Sequence, residues 1–200
     1  MPASARLGAL ILLVITWVWP SPCVAQWSAE LEVGADRFWG GSVERAPERR
    51  SFRPYRPTTF GAGLHRRSGP VGVGLRLRYT EASLALEGKD AVAAVKGVFT
   101  VYSASPEVSY RVASVGPENE ILLHAGPLLE LWSLTDEESR TRFGVQGAAS
   151  LDIPLGRRFA GSLSAGAALV SSPFRSGELT GYDLPALWRR RFAVGVRYRL

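Results

Sequence analysis

Residues 71–80 read VGVGLRLRYT, and they split cleanly into two sets. Val71, Val73, Leu75, Leu77 and Tyr79 are apolar, while Gly72, Gly74, Arg76, Arg78 and Thr80 between them are small, charged or hydroxylated. A β-strand sends successive side chains to opposite faces, so this order yields one hydrocarbon face and one face of glycine and arginine. A helix would mix the two sets around its circumference.

The same period of two extends in both directions. Trp27, Ala29, Leu31, Val33 and Ala35 alternate with Ser28, Glu30, Glu32, Gly34 and Asp36. Phe60, Ala62 and Leu64 alternate with Gly61, Gly63 and His65. Further runs extend over Val98 to Val112, Ile121 to Leu131, Phe143 to Ile153, Phe159 to Leu169, and Phe192 to Leu200. These make eight strand candidates. Several reach the roughly 9–11 residues that a tilted strand needs to cross a bilayer, beyond the usual 5–6 of soluble strands.

The connections alternate in length. Short ones at 67–70, 116–119 and 156–158 carry Gly, Pro and Asn, the residues that make tight turns. Long polar ones occupy 40–57, 83–97, 134–140 and 173–188. Tight turns at one end and long loops at the other are the layout of a transmembrane barrel. The phase changes within 83–97, which predicts strand extensions, a short helix near Ala91 to Lys96, or an extra hairpin.

A soluble sandwich or lipocalin-like barrel also alternates, but it turns its apolar face inward. Here the polar face mixes Gly and Ser with both signs of charge, which suits a lumen that eight strands leave only wide enough for side chains. Buried ions need partners. Glu30, Glu32, Asp36, Glu130 and Asp152 are expected to pair there with Arg76, Arg78, Arg111, Arg142 and Arg197. The fold expected is all-β: a closed antiparallel up-and-down transmembrane β-barrel of about eight strands. Trp27, Phe60, Tyr79, Phe143, Phe159 and Tyr198 fall near strand ends, where interfacial girdles sit.

Residues 1–25 have the layout of a secretory signal peptide: Arg6, the apolar run Leu7 to Trp19, breaks at Pro20 and Pro22, and small residues before a cut after Ala25. Residues 26–200 would then be the barrel domain. Cys23, the one cysteine, leaves with the signal, so neither a disulfide framework nor a cysteine metal site is expected. The formal charge of +6 falls to +5 without Arg6. Export and the scatter of arginine along strands argue against nucleic acid and for an anionic lipid surface as partner.

The end of the chain, Gly195-Val196-Arg197-Tyr198-Arg199-Leu200, resembles the C-terminal recognition signal of bacterial outer-membrane proteins at Gly195, Tyr198 and Leu200. It departs from that pattern in ending on Leu and in carrying Ala193 two residues before the glycine. The layout is similar to the small OmpA/OmpX-type barrel domains. That resemblance implies the outer membrane as location, insertion by the barrel assembly machinery, and contact with outer-membrane lipid and lipopolysaccharide.

Lipid A deacylases also resemble this layout and use His, Ser and Glu. His124 lacks a Ser two residues on, and Glu130 shares its strand face without a nucleophile beside it. No catalytic residue, cofactor or metal is expected, and His124 reads as a lumen hydrogen-bonding residue. His65 sits beside Arg66 and Arg67 near a turn. The charged stretch from Glu44 to Arg56 could offer arginines to lipopolysaccharide phosphates, and Asp136, Glu137 and Glu138 read as an acidic loop tip. The expectation is a non-catalytic structural or envelope-interaction barrel. The alternatives are a small pore, a lipid A-modifying enzyme, and a soluble periplasmic binding barrel.

Overall fold

The computed structural model describes residues 26–40, 43–44, 51–87, 92–116, 118–134, 139–172, 182–183 and 186–200. The signal-peptide segment 1–25, residues 45–50 of the charged loop and the acidic tip 136–138 lie outside them.

Eight long strands carry the fold: β1 (Gln26–Gly40), β2 (Ser51–Ser68), β3 (Val71–Glu87), β4 (Val92–Val115), β5 (Asn119–Leu134), β6 (Arg140–Pro154), β7 (Phe159–Val170) and β8 (Leu187–Arg199). Each pairs antiparallel with its neighbours in sequence, and β1 also pairs with β8, so the sheet closes as an up-and-down barrel. Closure removes the unpaired edges that lipid cannot satisfy.

The three tight turns follow β2, β4 and β6. Gly69, after Ser68, takes φ +62°, a left-handed backbone that glycine adopts without steric cost. At the other end, a two-residue ladder pairs Val43–Glu44 with Tyr182–Asp183 and ties the first long connection to the last.

Boundaries of the long connections differ from the sequence reading. Residues 51–57 and most of 83–97 are strand, so β2, β3 and β4 continue past the barrel as a three-stranded extension. Register irregularities fall at this point: Ala82 pairs with Phe99 but Leu84 with Val95, and on the other side Tyr55 pairs with Ser83 but Thr58 with Glu81. Such irregularities interrupt the regular ladder, as bulges do. Neither a helix nor an additional hairpin forms among the described residues there.

The sidedness is that of a membrane barrel. Leu75, Leu77, Val194 and Val196 lie 47–53% exposed on the outer wall, while Arg76, Arg78 and Arg197 are 5–8% exposed inside the ring. Leu31, Phe143 and Phe192, all near 70% exposed, share the outer wall. In water so much exposed hydrocarbon is costly; against acyl chains it is the matching surface.

Candidate functional site

The interior is a column of ions. Among the described residues, Glu30, Glu32, Asp36, Glu107, Glu130 and Asp152 are buried carboxylates, and Arg76, Arg78, Arg140, Arg189, Arg191 and Arg197 are buried guanidiniums. The two sets balance in number, which is what a low-dielectric lumen demands.

Arg76 is the hub. Its Nε and Nη2 donate to the two oxygens of Glu107 at 3.2 and 3.0 Å, its Nη1 donates to Glu32, and its Nη2 lies 3.4 Å from Glu30. One side chain on β3 thus joins three carboxylates from β1 and β4. Arg78, two residues on, donates through Nε to Glu32 at 2.7 Å and through Nη1 to Gln146 at 2.9 Å on the far wall. Gln146 donates in turn to Ser105.

Towards the long-loop end, Arg191 grips Asp36 with two bonds of 2.8 and 3.1 Å. Thr59 donates to the same carboxylate. Arg189 approaches Glu130 to 2.8 Å, and the Trp132 indole donates to Glu130 at 2.9 Å. Towards the tight-turn end, Arg197 joins Asp152 to Glu30. At the rim, Arg67 and Arg111 both donate to Glu120.

Two histidines complete the middle layer. His65 faces Glu30 through Nε2 and Glu107 through Nδ1, both at 3.4 Å. It is therefore a buried lumen residue, although its sequence neighbours lie near a turn. Its slot exists because Gly63 and Gly74 flank it: a Cβ on Gly63 would stand 2.6 Å from Nε2, and one on Gly74 would strike Nδ1. His124 places Nδ1 3.3 Å from Glu107 and Nε2 2.9 Å from Ser150 Oγ.

His124 is thus a hydrogen-bonded lumen residue, as its strand phase indicates, and the last contact adds a partner that local spacing does not reveal. No serine stands near it in the chain, but β6 brings Ser150 to it across the ladder. Glu107, His124 and Ser150 have the connectivity of a hydrolase triad. All three are buried, and the voids around them are about 30 Å³ each, room for a water molecule or two.

Eight of the ten residues expected in the ion network lie in the buried column. The other two stand at its margins. Arg111 is at the rim with Glu120. Arg142 lies opposite Glu130 in the register, yet its Nε donates to the Ser172 carbonyl at 2.6 Å. Glu130 takes Arg189 and Trp132 instead. Glu107, Arg140, Arg189 and Arg191 join the buried column beyond those ten. In the terminal segment, Gly195 pairs with Glu32 in the ladder, Tyr198 stacks 5.1 Å from Phe159 and accepts a bond from Arg158, and Leu200 is exposed. Among the described residues no group of three or more His, Cys, Asp and Glu is arranged to hold a metal ion.

No family model and no curated protein matches the sequence. Solved structures do match in fold. Neisserial surface protein A superposes with a TM-score of 0.61 at 8% identity, covering 87% of this chain and 97% of that one. The outer-membrane protein AlkL gives 0.58 at 11% identity over 91% and 95%. OprG from Pseudomonas aeruginosa gives 0.58 at 10% identity over 88% and 96%. The chain has the fold of the small eight-stranded outer-membrane barrels.

Proposed function

We propose that this chain is an integral barrel of a bacterial outer membrane with a non-catalytic, structural or envelope-interaction role. The observation that carries the reading is sidedness: hydrocarbon on the outer wall and balanced ion pairs through the lumen. An interior occupied by its own side chains leaves the outer wall and the rims as the surfaces that meet partners. Removal of residues 1–25 and insertion by the assembly machinery, with Gly195, Tyr198 and Leu200 as the signal, belong to the same reading. The test is extraction of isolated outer membranes. Release only by detergent, with heat-modifiable gel mobility, supports the reading; release by salt or carbonate alone removes it.

A hydrolase is the second reading, favoured by Glu107, His124 and Ser150. Space opposes it, because an ester group cannot fit in a void of about 30 Å³ beside Ser150. A fluorophosphonate probe on the detergent-purified protein separates the two. The first reading expects no adduct; an adduct mapped to Ser150 and abolished by Ser150→Ala would install the second.

A further inference from the structure

The outer wall holds a pair of arginines that the lumen network does not use. Arg37 on β1 and Arg190 on β8 are both exposed and directly opposed in the register. Their guanidiniums lie 5.1 and 4.9 Å from the centroid of one ring, Trp39. Among the described residues neither meets a carboxylate. Like charges directly opposed across a ladder destabilise it. An anion held between them reverses that sign, and paired guanidiniums fit phosphate oxygens well.

The surroundings say what kind of anion. Two residues down each strand stand Ala35 and Phe192, which are ladder partners on the same outer face. They border an apolar groove of about 650 Å³, lined also by Val33, Val194, Leu163 and Ala165. At about 3.4 Å per residue, the cations sit about 7 Å above it along the strands. Beside Arg190 the same row continues through Ala167 and Gly147, and the row below it passes from Phe192 to Ala165 and Ala149, so on the far side of the Phe192 ring only small residues stand between the cations and the groove. Trp39 and Trp188 mark this level as the headgroup zone at the long-loop end.

We infer that this seam binds an anionic lipid of the outer leaflet, with its phosphate between Arg37 and Arg190 and an acyl chain in the groove beneath. The inference rests on the outer-membrane reading above. A free phosphate would use the cations and leave the groove empty. A second copy, packed face to face by a two-fold, would bring the same arginines together and add repulsion.

The test uses the full chain in dodecylmaltoside, with adducts counted by native mass spectrometry. The probes are dioleoylphosphatidylglycerol, dioleoylphosphatidylcholine and inorganic phosphate. The site predicts retention of the phosphatidylglycerol about tenfold above the phosphatidylcholine. The double variant Arg37→Gln/Arg190→Gln lowers it to the phosphatidylcholine level, and Ala165→Trp, which fills the groove, weakens both lipids. Inorganic phosphate leaves the lipid adduct in place. Equal retention by wild type and double variant overturns the inference, as does displacement by inorganic phosphate or a lipid-free dimer on this face. Heat-modifiable mobility is recorded on the same samples. If it persists while the lipid preference is missing, the site alone fails; if it is absent from wild type, the barrel reading fails first.

Discussion

Two walls of one lumen differ sharply. β1, β3 and β8 send in Glu30, Glu32, Asp36, Arg76, Arg78, Arg189, Arg191 and Arg197. On β6 and β7 the inward set is dominated by Gly144, Gln146, Ala148, Ser150, Ser162, Ser164, Gly166 and Ala168, with Asp152 near the tight-turn end and Arg140 near the long-loop end. An eight-stranded ring leaves space only for side chains. Long arginines can cross it from one side because the other side is cut down to Cβ atoms and hydroxyls. The larger residues supply charge and span; the smaller ones supply the volume. The void bordered by Gly147, Ala148, Ser164 and Gly166 lies against the small wall, as this division of labour requires.

The comparison predicts unequal tolerance. Its harshest test is Arg76→Met, which strands Glu30, Glu32 and Glu107 without their shared partner. Loss of one member of a buried ion pair costs about 3–5 kcal/mol, read as a lower urea midpoint in lipid vesicles. The same variant should also open more often than the wild type in planar bilayers. Next comes Leu77→Arg on the lipid face, expected to cost about 2–4 kcal/mol near mid-membrane. If Leu77→Arg were harmless while Arg76→Met were severe, the outer wall would not be facing hydrocarbon. Gly74→Ala, which drives a methyl into His65, is expected to cost roughly 1–3 kcal/mol by overpacking. Ser164→Ala on the small wall should stay within about 0.5 kcal/mol. A large loss there would show that the small wall does more than make room.

Much of this was legible in the chain because closure into a barrel preserves a period of two. VGVGLRLRYT assigns Arg76 and Arg78 to the lumen without any knowledge of their partners. Other features required the third dimension. Arg189-Arg190-Arg191 hides its alternation because all three letters are the same; the phase of the last strand sets Arg191 on the polar face, and extending it two residues further upstream puts Arg189 inside and Arg190 outside. Glu107 could be placed on the polar face, but its role as acceptor for Arg76 and two histidines depends on which strands stand beside it. The Ser150 contact of His124 spans 26 residues and is set by the β5–β6 register, which no local spacing encodes. Arg142 shows the converse: its phase is right, but at the rim a backbone carbonyl competes for its guanidinium.

The central claim is hydrocarbon outside and ions inside, and collision accessibility of nitroxide labels tests it most directly. Labels are placed at Leu77→Cys and Val194→Cys on the outer wall and at Ser164→Cys on the inner one, in a Cys23→Ser background reconstituted in lipid vesicles. The account predicts that the labels at 77 and 194 collide freely with oxygen and hardly with a water-soluble nickel chelate, and that the label at 164 loses the oxygen preference. Nickel contact at 77 and 194 with oxygen-rich surroundings at 164 would contradict it.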